Sequence, residues 1–373
     1  MAAKNPFITK GYAGPEYFCD REKETKTLVK WLTNNNNVAL ISPRRYGKTD
    51  LIRHCFTQSE IDGEYYTFVI DIYSAKSLND IVMMLSDAII KVLMSKSKKT
   101  LETFLNILQS LRGGFSYDWS GTPSFTVGIG DIHTPEKTLS EIFEYLEKAD
   151  KPCIVAIDEF QQVAKIGENI EALLRTHVQY CKNATFIFSG SERHMMGEIF
   201  TSPKRPFYQS TTLYFLDRLP LDKYSEFCKR LFENGSKQLE SDVVPVIYER
   251  FDGVTYYMQR IMNEMYSDTP KEGTCSIADI DIAVQSILDA SSVVYENLMY
   301  QLPEKQRIVL KAIARSGIAE QPTSIEFIQK HKLTSPNSVK AALPALIDKD
   351  LVTTDKGKYM LCDKFLELWI CEE

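Results

Sequence analysis

The segment Ser42-Pro43-Arg44-Arg45-Tyr46-Gly47-Lys48-Thr49 decides the fold that this sequence predicts. It follows the short apolar run 38–41, which is typical of a buried strand, and it precedes residues 50–53, which can begin a helix. A strand, a loop ending in Gly-Lys-Thr and a helix are the context of a Walker A phosphate loop. Ser42 stands where that pattern has glycine, and a small residue still fits the tight turn.

The chemistry of such a loop explains its residue types. Backbone N–H groups of the loop and of the following helix N-terminus surround phosphate oxygens. We expect Gly47 to let the backbone approach the phosphates, Lys48 to reach the β- and γ-phosphates, and Thr49 to offer its hydroxyl to Mg²⁺. The predicted nucleotide contacts in this segment are Ser42, Pro43, Arg44, Arg45, Tyr46, Gly47, Lys48, Thr49 and Asp50.

A second apolar run, 153–157, ends in Asp158 and Glu159. Taken alone, such a run is usually a strand that meets solvent. After a phosphate loop it indicates Walker B, because ligands of parallel sheets lie at the carboxyl ends of strands. Asp158 would then hold Mg²⁺, directly or through water, and Glu159 would polarise the attacking water.

The strand 185–189 also ends in small polar residues, so Ser189 or Ser191 would sense the γ-phosphate, unless this is only a strand-end turn. We assign catalytic roles to Lys48, Asp158, Glu159 and Ser189.

Around these segments, apolar strands alternate with amphipathic helices. Strands are predicted at 66–72 and 212–215, and helices at 78–93, 139–146 and 170–180. This order predicts an α/β fold with a parallel sheet. Period-two runs around a turn predict a β-hairpin insert at about 115–130.

The character of the chain changes after residue 218. From Pro220 only helices are predicted, which makes 219–300 a helical domain without strands. In 301–373, three helices precede two strands at 351–354 and 358–361, which is a winged-helix arrangement.

Composition narrows the class of protein. The 373 residues are 44% hydrophobic and 25% charged with a net charge of −6, which excludes a disordered chain and a protein that coats nucleic acid along its length. Eight cysteines show no metal-ligand spacing and five histidines form no metal cluster. We see no secretory signal and no membrane span, and therefore expect a cytoplasmic protein with no membrane partner.

Several stretches together resemble the archaeal-type ATPase family, in the STAND branch of AAA+-like P-loop NTPases. They are 18–24, the 42–49 segment, 157–159 and 188–191, with further similarity at 219–221, 253–257 and 363–370. The resemblance implies an ATPase core at 1–218, a helical lid at 219–300 and a winged-helix domain at 301–373. It also implies that Phe18 and Arg21 lie near the adenine. The choice of adenine rests on the resemblance, since no guanine-reading NKxD motif occurs.

Two departures from the family pattern affect turnover. Gln209 and Ser210 follow Tyr208 where the family has an arginine, and Thr255 stands where a proline is expected. An arginine that neutralises γ-phosphate charge strongly affects hydrolysis. We therefore expect a slow ATPase or a nucleotide-locked switch, unless Arg193 or Arg205, otherwise surface arginines, replaces the missing residue.

The winged-helix segment is nearly neutral, with eleven Lys or Arg and ten Asp or Glu in 301–373. Its recognition helix carries Lys340 and Lys349 but also Asp348, and Pro344 is expected to kink it. Because DNA binding depends on phosphate neutralisation, this favours a protein partner or regulation over DNA.

The leading hypothesis is an ATPase that converts ATP to ADP and phosphate with Mg²⁺, as a nucleotide-driven conformational switch. The alternative is a nucleotide-gated regulator that hardly hydrolyses and acts on DNA or protein through its winged helix. A scaffold without nucleotide affinity is the third hypothesis. The sequence does not reveal the oligomeric state.

Overall fold

The computed structural model of this chain describes residues 5–96, 98–108, 116–117, 123–124, 134–355 and 357–372. The chain divides into two units, one of residues 10–220 and one of residues 221–372 with residues 5–9. Among the described residues, no helix has both the length and the apolar character that crossing a membrane requires.

The first unit is built on a parallel sheet of five strands in the order β2-β5-β6-β1-β7. Its strands, with the short pair β3 and β4, are β1 (Val38–Ile41), β2 (Tyr66–Asp71), β3 (Ser116–Tyr117), β4 (Pro123–Ser124), β5 (Cys153–Asp158), β6 (Ala184–Gly190) and β7 (Thr212–Phe215). The α/β fold and its parallel sheet are thus confirmed.

Helices cover both faces of this sheet. A 3₁₀ turn at Pro15–Tyr17 precedes α1 (Glu22–Thr33), α2 (Lys48–Phe56), α3 (Leu78–Lys96), α4 (Lys98–Ile107), α5 (Pro135–Lys148), α6 (Gln162–Ile166), α7 (Glu168–Tyr180) and α8 (Arg193–Thr201). One core contains residues of α1 and α2, such as Leu28 and Leu51. The other contains residues of α3 and α5, such as Leu85 and Phe143. Burial on both faces explains why the central strands are continuously apolar in sequence.

The strand order predicts a crevice at the carboxyl ends of β1 and β6. The chain leaves β1 toward β2 on one side of the sheet and leaves β6 toward β7 on the other. Such a reversal between neighbouring strands opens a crevice beyond their carboxyl ends. There the backbone N–H of Ser42 donates to Gly190 O at 3.3 Å.

The predicted insert at about 115–130 is described at four residues only. Ser116–Tyr117 pairs antiparallel with Pro123–Ser124. The other residues of the predicted hairpin lie outside the described part of the chain.

The second unit is mainly helical. Its helices are α9 (Leu221–Asn234), α10 (Val243–Arg250), α11 (Thr255–Asp268), α12 (Ala278–Gln301), α13 (Glu304–Ser316), α14 (Ile325–Lys330), α15 (Pro336–Asp348) and α16 (Lys364–Glu372). Its strands are β8 (Gln238–Leu239), β9 (Thr274–Cys275), β10 (Val352–Asp355) and β11 (Lys358–Leu361).

The expectation of a strand-free segment after Pro220 is wrong. Strands β8 and β9 pair in parallel and tie the chain after α9 to the chain before α12. Each has only two residues, which is too short for an alternating pattern of apolar residues to show in the sequence.

The winged-helix prediction is confirmed. Helices α13 to α15 precede the antiparallel pair β10 and β11, and a bridge joins Ala319 to Tyr359 of the wing. Ser335 and Ser338 form a capping box that begins α15, which continues as one helix through Pro344.

Residues 5–9 were predicted in the core domain but belong to the second unit. The Phe7 ring is fully buried and meets the rings of Phe227 and Tyr266 at centroid distances of 6.3 and 5.7 Å. The Asn263 side chain donates to Phe7 O at 2.6 Å. These contacts with α9 and α11 are long-range, so no local pattern announces them.

Helix α16 joins the lid segment to the winged helix within the second unit. Tyr257 of α11 accepts the backbone N–H of Lys364 at 2.8 Å and donates to Cys362 O at 3.2 Å. Trp369 of α16 donates to Ser292 of α12 at 3.2 Å.

Candidate functional site

The 42–49 segment connects β1 to α2 and turns sharply at its end. Gly47 has φ +86° and stands just before the first residue of α2, in the left-handed region that side chains disfavour. A Cβ at this position would meet nothing within 4 Å, so the backbone conformation, and not crowding, favours glycine. Arg45 also has a left-handed φ of +72°. The two left-handed residues let the segment curl back over the start of α2.

Lys48 lies beneath this segment with only 6% of its surface exposed. Its ammonium donates to Ser42 O at 3.1 Å and to Pro43 O at 3.3 Å. Burial lowers the pKa of Lys48, and the carboxylates of Glu159 and Asp158 oppose that shift. The segment therefore encloses the Lys48 ammonium, and the two carboxylates offset only part of its desolvation. This environment favours the binding of an anion.

Of the remaining residues of the segment, Ser42 is fully buried and the others are half-buried. The Arg44 guanidinium lies over the Tyr73 ring at 5.3 Å from its centroid, and the Arg44 charge adds to the lowering of the Lys48 pKa. Asp50 lies in the first turn of α2, and burial raises its pKa while Arg53 opposes the shift. Tyr46 is half-buried in the same segment.

Thr49 and Asp158 meet although 109 positions separate them. The Thr49 hydroxyl donates to Asp158 Oδ2 at 2.5 Å. The other carboxylate oxygen, Oδ1, accepts the backbone N–H of Glu159 at 3.1 Å. The predicted pair is thus brought together at the carboxyl end of β5.

Glu159 lies just beyond β5 in a left-handed conformation, with φ +54°. The next backbone N–H, of Phe160, donates to Ser189 O at 2.9 Å. The Glu159 carboxylate accepts the Ser191 hydroxyl at 2.7 Å and the Gln161 amide at 2.5 Å. This carboxylate is therefore placed by residues from two different segments.

The structure separates the two candidate serines at the end of β6. Ser189, assigned a catalytic role, is fully buried, and its hydroxyl has no hydrogen-bond partner among the described residues. Ser191, the alternative, contacts Glu159. The chain turns after Gly190, where β6 ends, and this turn brings the second serine to the acidic residue.

Asp71 was not identified from the sequence. It is the last residue of β2 and is the register partner of Asp158 in the neighbouring strand. Its carboxylate accepts the backbone N–H of Tyr73 at 2.9 Å. Burial raises the pKa of Asp71, and the charges of Asp158 and Glu159 add to the shift. An acidic residue at the carboxyl end of a predicted strand was the signal available.

Gln161 was also missed, and its signal was weaker. It is a polar residue two positions after the Asp-Glu pair, in a segment that showed no periodicity. Only its contact with Glu159 identifies it as part of the site.

Phe18 and Arg21, the predicted neighbours of the adenine, have different surroundings. The half-buried Phe18 ring stacks on His54 of α2 at 4.2 Å and 20° between planes. The Tyr12 hydroxyl hydrogen-bonds to His54 Nδ1 at 2.9 Å, and burial lowers the pKa of this histidine. These rings form a partly exposed aromatic cluster beside α2.

Arg21 is buried and held by protein partners. Its guanidinium donates to Glu24 at 2.8 Å and to Asp217 O at 2.6 Å. These bonds link the start of α1 to the chain that follows β7. They indicate a positioning role, while a direct contact with a nucleotide stays a prediction.

The two candidate replacements for the missing family arginine have different surroundings. Arg205 has 11% of its side chain exposed and forms an ion pair with the fully buried Glu171 at 3.2 Å, so the expectation of a surface arginine is wrong. Arg193 is exposed at the start of α8.

Known proteins show the same organisation. A family described as an ATPase domain predominantly from Archaea matches residues 18–261, and a winged helix domain family matches residues 293–372. The first match covers more than half of the chain. The chain therefore belongs to this archaeal ATPase-domain family, with a C-terminal winged helix domain.

One relative, known by its sequence, matches part of this chain. An uncharacterised ATP-binding protein of Methanocaldococcus jannaschii is 28% identical over 162 residues, which are 41% of this chain and 45% of that protein. The match thus spans less than half of that relative.

Two solved structures share the fold over almost the whole length of both chains. A Walker-type ATPase of Pyrococcus abyssi has a TM-score of 0.64 at 16% identity, covering 98% of this chain and 99% of that one. The Aeropyrum pernix ORC2 protein, solved in ADPNP–ADP complexes, has a TM-score of 0.54 at 14% identity, covering 100% and 98%.

Proposed function

We propose that this protein binds ATP with Mg²⁺ and hydrolyses it to ADP and phosphate. The observation that carries the proposal is the 2.5 Å bond between Thr49 and Asp158, because it joins the 42–49 segment to the acidic end of β5. Lys48 and Glu159 are the immediate sequence neighbours of these two residues. Membership of an ATPase-domain family supports the same conclusion.

The phosphates would lie over the 42–49 segment, at the start of α2. Backbone N–H groups there and the helix N-terminus favour negative charge. The buried ammonium of Lys48 would exchange its contacts with Ser42 O and Pro43 O for phosphate oxygens. A charged ligand would then compensate the desolvation that lowers the Lys48 pKa.

The residues present fit a magnesium ion. The Thr49 hydroxyl and the Asp158 carboxylate are hard oxygen ligands, the type that Mg²⁺ prefers. Among the described residues there is no group of three or more His, Cys, Asp or Glu that could hold a metal by itself. This agrees with a bound Mg²⁺ that takes one carboxylate from the protein and most other ligands from phosphates and water. When bound, the ion would neutralise phosphate charge.

Glu159 would orient the attacking water and accept its proton. The water oxygen forms a bond to the γ-phosphorus while the bond from that phosphorus to the β,γ-bridging oxygen breaks, and ADP leaves with the electron pair. Asp71 and Asp158 add negative charge to this edge of the sheet. The proton passed to Glu159 is released to solvent when the products leave.

We further propose that the second unit responds to the nucleotide state. Because α16 packs on α11 and α12, the lid segment and the winged helix would respond together. The near neutrality of 301–373 favours a protein over DNA as the partner of this unit.

The primary test is phosphate release from Mg·ATP by the purified protein, with Glu159→Gln as the matched variant. We expect steady turnover in the wild type and a loss of about 100-fold or more in the variant. Millimolar Mg·ATP should raise the melting temperature of both proteins, since ligands that bind only the native state stabilise it. Lys48→Ala should abolish that rise. An unchanged melting temperature in the wild type would refute nucleotide binding altogether.

A slow, nucleotide-gated regulator is the second candidate function. The pairing of Arg205 with Glu171 favours it, because the arginine nearest in sequence to the Tyr208 position is engaged elsewhere. This candidate predicts nucleotide binding without steady turnover by the isolated protein. Turnover that Glu159→Gln abolishes would decide against it.

A further inference from the structure

The Glu159 carboxylate is held by two side-chain donors from different elements. Gln161 Nε2 and Ser191 Oγ both donate to the same oxygen, Oε2, at 2.5 and 2.7 Å. Gln161 Nε2 also donates to Ser191 Oγ at 3.4 Å, and the two residues are 2% and 9% exposed. A carboxylate with two buried donors on one oxygen has little freedom to rotate.

Gln161 is fixed by its packing against Gly190. A Cβ at Gly190 would lie 2.6 Å from Gln161 Oε1 and 2.3 Å from Met196 Sδ, so a side chain there would displace the glutamine. The amide must present nitrogen to Glu159, since an amide oxygen would be repelled by the carboxylate. Gln161 Oε1 has no hydrogen-bond partner among the described residues. A buried amide in which only the nitrogen is hydrogen-bonded costs free energy. Such a cost is expected where the nitrogen has a functional role.

The held carboxylate belongs to the residue next to Asp158, which the Thr49 hydroxyl of the 42–49 segment contacts. Glu159 is the foremost charge opposing the lowered pKa of Lys48, ahead of Asp158. With Oε2 occupied by its two donors, Oε1 accepts no hydrogen bond from the described residues. That oxygen is thus left for an incoming donor.

We infer that Gln161 and Ser191 form a clamp that positions Glu159 for hydrolysis, and this rests on the proposed ATPase function. The clamp, defined as these two side chains, fixes Oε2 so that Oε1 faces the attacking water. Neither residue touches the reacting atoms. Both are positioning residues, and both act through the same oxygen.

The test compares Gln161→Leu and Ser191→Ala with Gln162→Leu. Gln162 is a matched control, because it is the adjacent glutamine and its amide donates to Ala75 O at 2.8 Å, away from the acidic pair. We expect each clamp variant to lower kcat roughly 10- to 100-fold, as small misplacements of reacting groups do. The Kd for ATP should stay within about two-fold, and Gln162→Leu should keep kcat within the same range.

Double variants separate positioning from general damage. Gln161→Leu with Ser191→Ala should lower kcat much less than the product of the single effects, because both remove support from one carboxylate. In a Glu159→Gln background, Gln161→Leu should leave the residual turnover unchanged. Ser191→Ala removes one oxygen only, so it keeps the test valid if the leucine variant misfolds.

The outcomes distinguish this inference from the proposed function. If the wild type turns over and Glu159→Gln does not, but both clamp variants keep wild-type kcat, only the clamp is refuted. A rise in kcat would also refute it, since the contacts would then restrain Glu159. If the wild type releases no phosphate, hydrolysis is refuted and the clamp with it.

Discussion

Replacing Arg205 with methionine tests whether this arginine is structural or catalytic. Its guanidinium lies 3.2 Å from the carboxylate of Glu171, which is fully buried, and 3.9 Å from the exposed Glu198. Arg205→Met would remove the guanidinium that pairs with the fully buried Glu171 carboxylate. Breaking a buried ion pair by removing one partner costs about 3–5 kcal/mol.

The expected shift is large enough to measure with certainty. For a unit the size of residues 10–220, each kcal/mol changes the melting temperature by about 2–4 °C. Arg205→Met should therefore melt at least about 6 °C below the wild type, by calorimetry without nucleotide. A second variant, Arg205→Met with Glu171→Leu, should recover most of the loss, because an apolar pair needs no charge compensation. A melting temperature of Arg205→Met within about 2 °C of wild type would refute the structural assignment.

The same double variant decides the catalytic question. Once the ion pair is replaced and the fold is restored, we expect phosphate release within about two-fold of wild type, because Arg205 stabilises α7 and the chain after α8. A folded, ATP-binding double variant without turnover would show that Arg205 replaces the missing family arginine.

Three further predictions concern stability. Phe7→Ala should lower the free energy of unfolding of the second unit by about 3–5 kcal/mol in urea, because a fully buried ring is lost; a loss below about 1 kcal/mol would contradict the packing described. Tyr257→Phe should lower the free energy of unfolding by about 1–3 kcal/mol, because the lost hydroxyl bonds to the backbone just before α16 and at the start of α16. An unchanged urea midpoint would contradict this role. Burial and the neighbouring Asp158 raise the pKa of Asp71, so the fold loses stability as pH rises from the ordinary aspartate pKa of 3.8 through the raised folded-state pKa. Asp71→Asn should therefore raise the melting temperature more at pH 8 than at pH 4, and equal shifts at both would exclude this cause.

The sheet could be predicted because burial leaves a local trace. The strands 38–41 and 212–215 begin and end where predicted. The helix predicted at 78–93 begins at the predicted residue and ends three residues later than predicted, at Lys96. Strands buried on both faces, such as 38–41, are apolar along their length, and helices against them repeat every three to four residues. The edge strand 212–215 is only partly buried. Helices α4 and α8 were not predicted, and nor was the position of residues 5–9, which depends on distant aromatic rings.

The candidate site could be predicted in its motif residues. Lys48, Thr49, Asp158 and Glu159 belong to two short segments, and each segment has a recognisable composition. The structure brings these four together, while their roles with a nucleotide remain for the experiments above. Phe18 and Arg21 came from family resemblance alone, and the bonds of Arg21 to Glu24 and Asp217 could not be foreseen from it.

The contacts that the motifs could not predict are determined by strand register and by one turn. Strand β5 lies between β2 and β6, so the residues after it meet the ends of both neighbours. Register places Asp71 beside Asp158, and the turn after β6 brings Ser191 to Glu159. Considering every polar residue at or just after the carboxyl end of each strand in the sheet would therefore have included the aspartate and the serine. Gln161 is different, because its amide reaches back to Glu159, whose left-handed backbone has no signature in the residue types.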